Sequence, residues 1–362
     1  MEEIMRIKKA LFLGTLCTAV SGMSLFAQAG VSYAKSAEKT TEAASSEEAE
    51  SEEETSEEVT YPITIEHAFG ETVIESKPER IATIGWENQD TPLALGVAPV
   101  GVSAANYGMV TDNNLHPWTD EAFADLGVEK PVVFDDVDGL DFEQISDCNP
   151  DVILAAYSGM TQEDYDTLSQ IAPVIPYKEK AWQTSWREQT IENAEGMGMK
   201  PEGEKKVKEV EDLIAEKLEE YPQLEGIPTA FCWISADDFS TFYVYLPTDP
   251  RAAYLLDLGF TLPESVQKLA GETDDFNITV SRENADQLDD IQLMVVYGDE
   301  DLLKSLQEDK LMSQIPAIKN GAVALVDSTS ALAGACTPSI LSIPYEIDEY
   351  LQLLSDAAEN IK

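Results

Sequence analysis

The chain has 362 residues, 43% of them hydrophobic, and a formal net charge of −46. That length and apolar content suffice for two packed domains at the usual ~100–200 residues each. So acidic a protein is excluded from binding nucleic acid, whose phosphates need a basic face.

Arg6, Lys8 and Lys9 precede an apolar run from Ala10 to Phe26, which is followed by Ala27-Gln28-Ala29 and Ser32-Tyr33-Ala34. A basic start, an apolar middle and small residues at the end predict an export signal over residues 1–34. Cys17 follows Gly14-Thr15-Leu16, a departure from the lipidation pattern, which wants a small residue directly before the cysteine. Cleavage after Ala29 or Ala34 and an uncleaved anchor are the other endings left open. Residues 36–60 hold ten Glu and one Lys among Ser, Thr and Ala. With few apolar groups and strong self-repulsion, residues 35–60 are expected to form a disordered acidic linker. A spacer is useful when one end is fixed, so the exported chain is expected to be tethered to the outer face of the cytoplasmic membrane. Beyond the signal, Cys148, Cys232 and Cys336 match no metal or redox spacing and imply no disulfide framework.

The folded part opens with "YPITIEHAFGETVIES", whose alternation and Gly70 predict a β-hairpin. Apolar runs then recur at Arg80–Gly85, Val100–Ala104, Val152–Tyr157 and Val174–Tyr177. A second set follows at Ala230–Ser235, Phe242–Leu246, Leu293–Gly298 and Val323–Asp327. Strands alternating with helix-length segments predict α/β units with largely parallel sheets. Between the sets, Val207, Val210, Ile214, Leu218 and Tyr221 fall at spacings of 3, 4, 4 and 3, the single stripe of an amphipathic helix. A helix over residues 204–221 would be a rod of about 27 Å. It could bridge two lobes or lie on the surface of one. The halves also echo one another. "DFEQISDCNPDVILAAYSG" and "SRENADQLDDIQLMVVYGD" each run from a Glu through a short helix and an acidic turn to a strand ending in Tyr.

Three segments carry a resemblance: "ETVIESKPERIATIGWENQDTPLALGVAPVGV", "LDFEQISDCNPDVILAAYSGMTQEDYDTLSQIAPVI" and "LMSQIPAIKNGAVALVDS". Over residues 61–362 the chain resembles the ferric-siderophore substrate-binding proteins of ABC importers. The resemblance implies two Rossmann-like α/β lobes joined by a single long helix, with a ligand cleft between them. The corresponding boundaries are an N-terminal lobe at 61–200, an interlobe helix at 201–222 and a C-terminal lobe at 223–362. It also implies an importer permease, with its ATPase, onto which the loaded protein docks, and a monomeric binding protein. No cofactor is implied, because a ferric siderophore carries its own iron coordination.

Ligands of open α/β sheets bind beyond the carboxyl ends of the strands. The residues at those ends are Trp86 and Asn88 after the first strand, Tyr107 after the second and Tyr157 at the end of the third. In the second half they are Trp233, Tyr243 and Tyr297. Aromatics and amides repeated along one edge suit a large, flat, oxygen-rich ligand. At the corner itself, Asp90 is expected to cap the next helix, leaving Trp86 and Asn88 to face the cleft. A cation is also wanted to meet ligand oxyanions. Beyond the signal there are four arginines, Arg80, Arg187, Arg251 and Arg282. Arg80 falls at the amino edge of its strand, whereas Arg187 and above all Arg251, at the start of a helix, are better placed. So few cations favour a hydroxamate, mixed or weakly charged chelate over a triscatecholate. Glu143 and Glu283 match the positions at which the family places one permease-docking glutamate on each lobe.

Direct zinc or manganese binding relies on several His with carboxylates, and the chain has only His67 and His116. No metal ligands are therefore assigned. Haem, with Tyr107, Tyr157 or Tyr297 as axial ligand, and cobalamin remain competing cargoes. An enzyme is disfavoured: there is no Gly-x-Ser-x-Gly elbow, no Gly-x-Gly-x-x-Gly loop and no His in a triad context.

Overall fold

The computed structural model describes residues 59–362. The expected export signal, and the acidic linker up to residue 58, lie outside the described residues. A hairpin leads: β1 (Ile63–His67) pairs antiparallel with β2 (Gly70–Ile74). Its connection is Ala68-Phe69, with His67 opposite Gly70, so the turn closes just before the glycine that the sequence singles out.

The first lobe is built on β3 (Ile81–Thr83), β4 (Gly101–Ser103), β5 (Val133–Phe134), β6 (Val152–Ala155) and β7 (Val174–Pro176). They form one all-parallel sheet in the order β5-β4-β3-β6-β7. Four of these strands are buried at every residue. Helices cover both faces of such a sheet, which is why its strands read as unbroken apolar runs. The second lobe uses β8 (Thr229–Trp233), β9 (Thr241–Tyr245), β10 (Asn277–Ser281), β11 (Leu293–Tyr297) and β12 (Val323–Val326) in the order β10-β9-β8-β11-β12. Its β8, β11 and β12 are parallel, whereas β9 runs antiparallel to both β8 and β10. In each sheet the chain order reverses beside the central strand, at β3/β6 and at β8/β11. A crevice opens outside the carboxyl ends of the strands at such a switch point.

Helices α1 (Asp90–Ala94), α2 (Pro117–Asp125), α3 (Phe142–Asp147), α4 (Gln162–Leu168) and α5 (Trp186–Gly196) belong to the first half. Next comes α6, Lys200–Leu218, 19 residues with Pro in its first turn. It carries the expected stripe: Val207, Val210 and Ile214 are buried, and Leu218 and Tyr221 pack half-buried on the same core. The second half adds α7 (Pro250–Asp257), α8 (Glu264–Ala270), α9 (Glu300–Glu308), α10 (Pro316–Asn320), α11 (Ala331–Ala335) and α12 (Ser342–Ala358). Trp186 of α5, the stripe of α6 and Ile343, Ile347 and Leu351 of α12 share one apolar cluster. Arg187 ties the same region together, with Nε 2.6 Å from Glu211 and Nη1 2.7 Å from Asp257. Cys148, Cys232 and Cys336 are buried free thiols.

The halves also meet away from α6. Asp90 is not the cap of α1; Gln89 holds that position without a side-chain bond, and Asp90 lies inside the first turn. Its fully buried carboxylate accepts from Trp118 Nε1 at 2.8 Å, Thr119 Oγ1 at 2.8 Å and Ser339 Oγ at 2.5 Å. The first two donors come from α2 and the third from the α11–α12 connection, so one carboxylate joins both lobes. Nearby, Met109 N donates to Ser330 O at 2.9 Å. Gly108, at φ +72°, lies so close to Gly334 that a Cβ would come within 2.7 Å of the Gly334 nitrogen. Only glycine combines that φ with that approach.

Burial pushes the Asp90 pKa up from 3.8 to about 6, against the pull of its three donors. A carboxyl raised on folding takes up a proton between those values. Its contribution is fullest below about pH 4 and is lost as pH rises through about 6, a swing of about 3 kcal/mol. We expect Asp90→Asn to flatten this part of the wild-type stability profile in denaturant titrations. Asp90→Ala, which leaves three donors unpaired, should lower stability by about 3–5 kcal/mol at neutral pH.

Candidate functional site

The switch points place the aromatic residues. After β3 the backbone turns through Gly85, whose Cβ position would fall 2.7 Å from the carbonyl oxygen of Tyr157. Trp86 N donates to that same oxygen at 3.2 Å. The corner of β3 is therefore pinned to the end of β6, and the half-buried Trp86 ring leaves it to meet Trp182 edge-on, with centroids 5.5 Å apart. Trp182 also meets Tyr157 edge-on at 5.3 Å. Trp182 was not legible as a site residue. Its signal is an aromatic in the loop after β7, on the carboxyl edge already known to matter. It is held at φ +63° with its N–H on Ser158 O.

Asn88 does not face the cleft as expected. It is 0% exposed, and its amide is fully engaged. Nδ2 donates to Ile84 O at 2.8 Å and to Tyr157 O at 2.9 Å, while Oδ1 accepts from Tyr157 N at 3.1 Å. The same oxygen accepts from Asn193 Nδ2 at 3.0 Å. Asn88 is a brace that staples β3 to β6 and to α5, and Gln189 adds a bond to Trp86 O at 2.9 Å. The amide type suits this work because it offers donors and an acceptor at one point.

The pocket between the lobes is lined by Gly85, Trp86, Glu87 and Gln89 after β3, and by Ser103 to Tyr107 after β4. His116, and Gly334 and Thr337 of the second lobe, complete it. Tyr107 is half-buried and reaches across to Tyr297, the rings meeting edge-on at 5.2 Å. Tyr297 in turn touches Phe231 at 5.2 Å. Tyr157 and Tyr297 are buried, at 2% and 8% exposure, so they back the site through Trp182 and Tyr107. Burial pushes the phenol pKa of Tyr107, Tyr157 and Tyr297 upwards. Trp233 and Tyr243 are half-buried and opposed across β8 and β9, with ring centroids 5.5 Å apart.

Arg251 starts α7, as its sequence position suggests. Asp249 caps that helix and grips the guanidinium in fork geometry, accepting from Nε at 2.8 Å and Nη2 at 2.7 Å. The guanidinium carbon lies 4.2 Å from the centre of the Tyr245 ring. Burial pulls the Arg251 pKa down, but the charge and hydrogen bonds of Asp249 together with Tyr245 and Tyr297 raise it well above its usual value, so it stays cationic. The other arginines are committed elsewhere. Arg80 donates to Cys148 and Asn149 carbonyls, Arg187 pairs with Glu211 and Asp257, and Arg282 pairs with Asp309. Glu143 and Glu283 are exposed, each the second residue of a short helix, in α3 and in the 3-10 turn Arg282–Gln287. Among the described residues, no group of three or more His, Cys, Asp or Glu is placed to hold a metal ion.

A family model described as periplasmic binding protein matches residues 81–329. The fold is similar to a crystal structure of PiaA from Streptococcus pneumoniae in complex with ferrichrome. The two share 48% identity and a TM-score of 0.80 over 83% of this chain and all of that one. The petrobactin-binding protein YclQ of Bacillus subtilis is 24% identical over 305 residues, covering 80% of this chain and 88% of that protein. Staphylococcus aureus SirA complexed with staphyloferrin B shares the fold at 23% identity and a TM-score of 0.63, over 83% of this chain and 99% of SirA.

A brace and a ligand contact respond differently to mutation. Asn88→Ala strands the Tyr157 backbone and the Asn193 amide, so we expect a loss of about 2–4 kcal/mol of stability in urea unfolding. Trp86→Ala, at a half-buried position in the pocket wall, should cost clearly less in the same measurement.

Proposed function

The chain belongs to the periplasmic binding protein family, and from that premise we propose that it captures an iron(III)–siderophore complex and delivers it to an ABC importer permease. The observation that carries the reading is the pocket between the lobes. Trp86 and Tyr107 stand in its walls, Trp182 packs against Trp86, and the cation Arg251, tethered by Asp249 at the start of α7, is proposed to face the same ligand. Rings offer flat apolar contact to a chelate scaffold, and a guanidinium offers planar donors to its oxygens. PiaA, 48% identical over the folded region, was crystallised with ferrichrome, which supports a hydroxamate chelate as the cargo class. Trp86, Tyr107, Trp233, Tyr243 and Arg251 are the proposed contacts, and Tyr157 and Tyr297 the rings behind them.

Asp249 already neutralises much of Arg251, so the pocket is poorly equipped for a strongly anionic triscatecholate. Haem is the weaker alternative, because phenols whose pKa values are raised by burial are reluctant to ligate iron as phenolates. Cobalamin is distinguished only by the binding measurement. No catalytic residue is assigned; the role is capture and transfer. The lobes are taken as 61–200 and 223–362 with the connecting helix at 201–222. An export signal at 1–34 and a linker at 35–60 would present them, as a monomer, at the outer face of the membrane. Glu143 and Glu283 are the proposed contacts to the permease, which works with its ATPase. Their parallel placement in short helices and their exposure support that role.

Tryptophan fluorescence titrations with ferric hydroxamates, ferric catecholates, haem and cobalamin test the cargo. We expect saturable quenching by a ferric trishydroxamate, weakened about 10–100-fold in Arg251→Ala. Flat responses to every iron chelate would overturn the assignment. For docking, the Glu143→Arg/Glu283→Arg double variant should abolish cellular uptake with chelate affinity unchanged, and normal uptake would remove both residues from the interface.

A further inference from the structure

Glu87 lines the pocket and is only 4% exposed. Its backbone is in the left-handed region, φ +59°, at the corner after β3. A non-glycine residue is held there only when its surroundings impose it, and such positions gather at functional sites. Its Oε1 lies 4.0 Å from His116 Nε2, too far for a hydrogen bond. Its Oε2 is buried with no hydrogen-bond partner among the described residues, and the neighbouring Gln89 Oε1 is likewise unpartnered there. Buried polar atoms of native proteins find partners, and an unmet one points to something absent from the bare chain. The space beside Glu87 that could hold that partner is the pocket.

Resting on the siderophore reading above, we propose that Glu87 is a specificity-determining residue that hydrogen-bonds, as a neutral carboxylic acid, to a ligating or carbonyl oxygen of an uncharged iron chelate. The charges around it support the neutral form. Asp90 on the same turn repels a second negative charge, and burial opposes ionisation still more; both hold the Glu87 pKa well above the usual range. Arg251 on α7 opposes this but is itself engaged by Asp249. Tyr157, at the end of β6, is the remaining titratable neighbour, and its raised pKa keeps it neutral. His116 is neutral as well, its pKa lowered to about 4 by burial. Met109 O, 3.2 Å from Nδ1, can only accept, which places the ring proton on Nδ1 and leaves Nε2 an acceptor. The ring facing Glu87 therefore supplies neither a positive charge nor a donor that would favour the carboxylate. A chelate with oxygens at its periphery and no net charge fits such a donor, whereas an anionic chelate meets no added attraction from it.

The test is quenching of the purified full-length chain by ferrichrome, an uncharged ferric trishydroxamate, from about pH 6 to about pH 9, for wild type, Glu87→Gln and Glu87→Ala. The acid donates only while protonated, so wild-type affinity should fall, about fivefold or more, as pH rises through the raised pKa of Glu87. Glu87→Gln keeps a permanent donor and should bind within about threefold of wild type at the lowest pH, with a flat profile; Glu87→Ala should be weaker by about tenfold there. Thermal melts accompany each titration. If Glu87→Ala fails to fold, the comparison of Glu87→Gln with wild type decides alone. Superimposable profiles for those two, or a wild-type affinity that rises with pH, would overturn the proposal while leaving the siderophore reading intact. Absence of quenching by ferrichrome in the wild type would overturn the hydroxamate cargo on which the proposal rests, and the proposal with it.

Discussion

The pocket depends on one buried carboxylate. Asp90 takes bonds from two residues of α2 and from Ser339 in the opposite lobe, with no cation in contact. Removing a carboxylate from water is costly unless its lone pairs are met, and three neutral donors meet them only in this arrangement. The tie fixes α1 against α2, and so fixes the corner from which Trp86 and Glu87 project. It also brings the α11–α12 connection over the first lobe. Met109 to Ser330 and the Gly108–Gly334 approach reinforce the same seam. With α6 and the Arg187 pairs spanning the lobes elsewhere, relative movement is constrained on more than one line.

A protein fastened in this way has a largely pre-formed site, and pre-formation reduces the ordering cost of capturing a ligand. The braces are of different kinds. Asn88 works through neutral hydrogen bonds among β3, β6 and α5, Asp90 through a charge shared by neutral donors, and Arg251 through a forked pair with Asp249. Asn88 and Asp90 leave their neighbours Glu87 and Gln89 to line the pocket. Asn88 separates Glu87 from Gln89, and Gly85 lets Trp86 lie against the end of β6. From Glu87 to Asp90 the corner alternates pocket-lining and structural duties residue by residue.

That alternation explains what could and could not be read from the sequence. The two sheets were legible because their central parallel strands are short, buried apolar runs. Strand β5 has two residues, and β10 offers only Ile278 and Val280 as apolar positions, so neither stood out. The stripe of α6 was legible to the residue, though the helix begins at Lys200, four positions before the expected start. The strand-end rule placed Trp86 and Tyr107 at the pocket. It failed at Asn88 because its partners, Tyr157 and Asn193, lie 69 and 105 positions away. Asp90 misled for a related reason: an Asp before Thr-Pro looks like a cap, and its donors Trp118 and Ser339 are visible only in three dimensions. Glu87 stands at the same strand end but draws no role from sequence, because an acidic residue at a turn is ordinarily solvated.

The distribution of charge sharpens the choice of cargo. The surface is acidic, so long-range fields repel anionic chelates from the outset, weakly at physiological salt where charges are screened beyond about 8 Å. Arg251 lies over the Tyr245 ring, and Asp249 occupies two of its donor groups. Beside it stand a carboxyl that burial and Asp90 keep protonated and an imidazole that burial keeps neutral. A triscatecholate complex would enter with a strong negative charge and find one half-compensated cation to meet it. An uncharged trishydroxamate brings no such debt of desolvation and presents oxygens that both a guanidinium and a carboxylic acid can donate to. The same features that starve the pocket of positive charge therefore suit it to a neutral, oxygen-rich chelate.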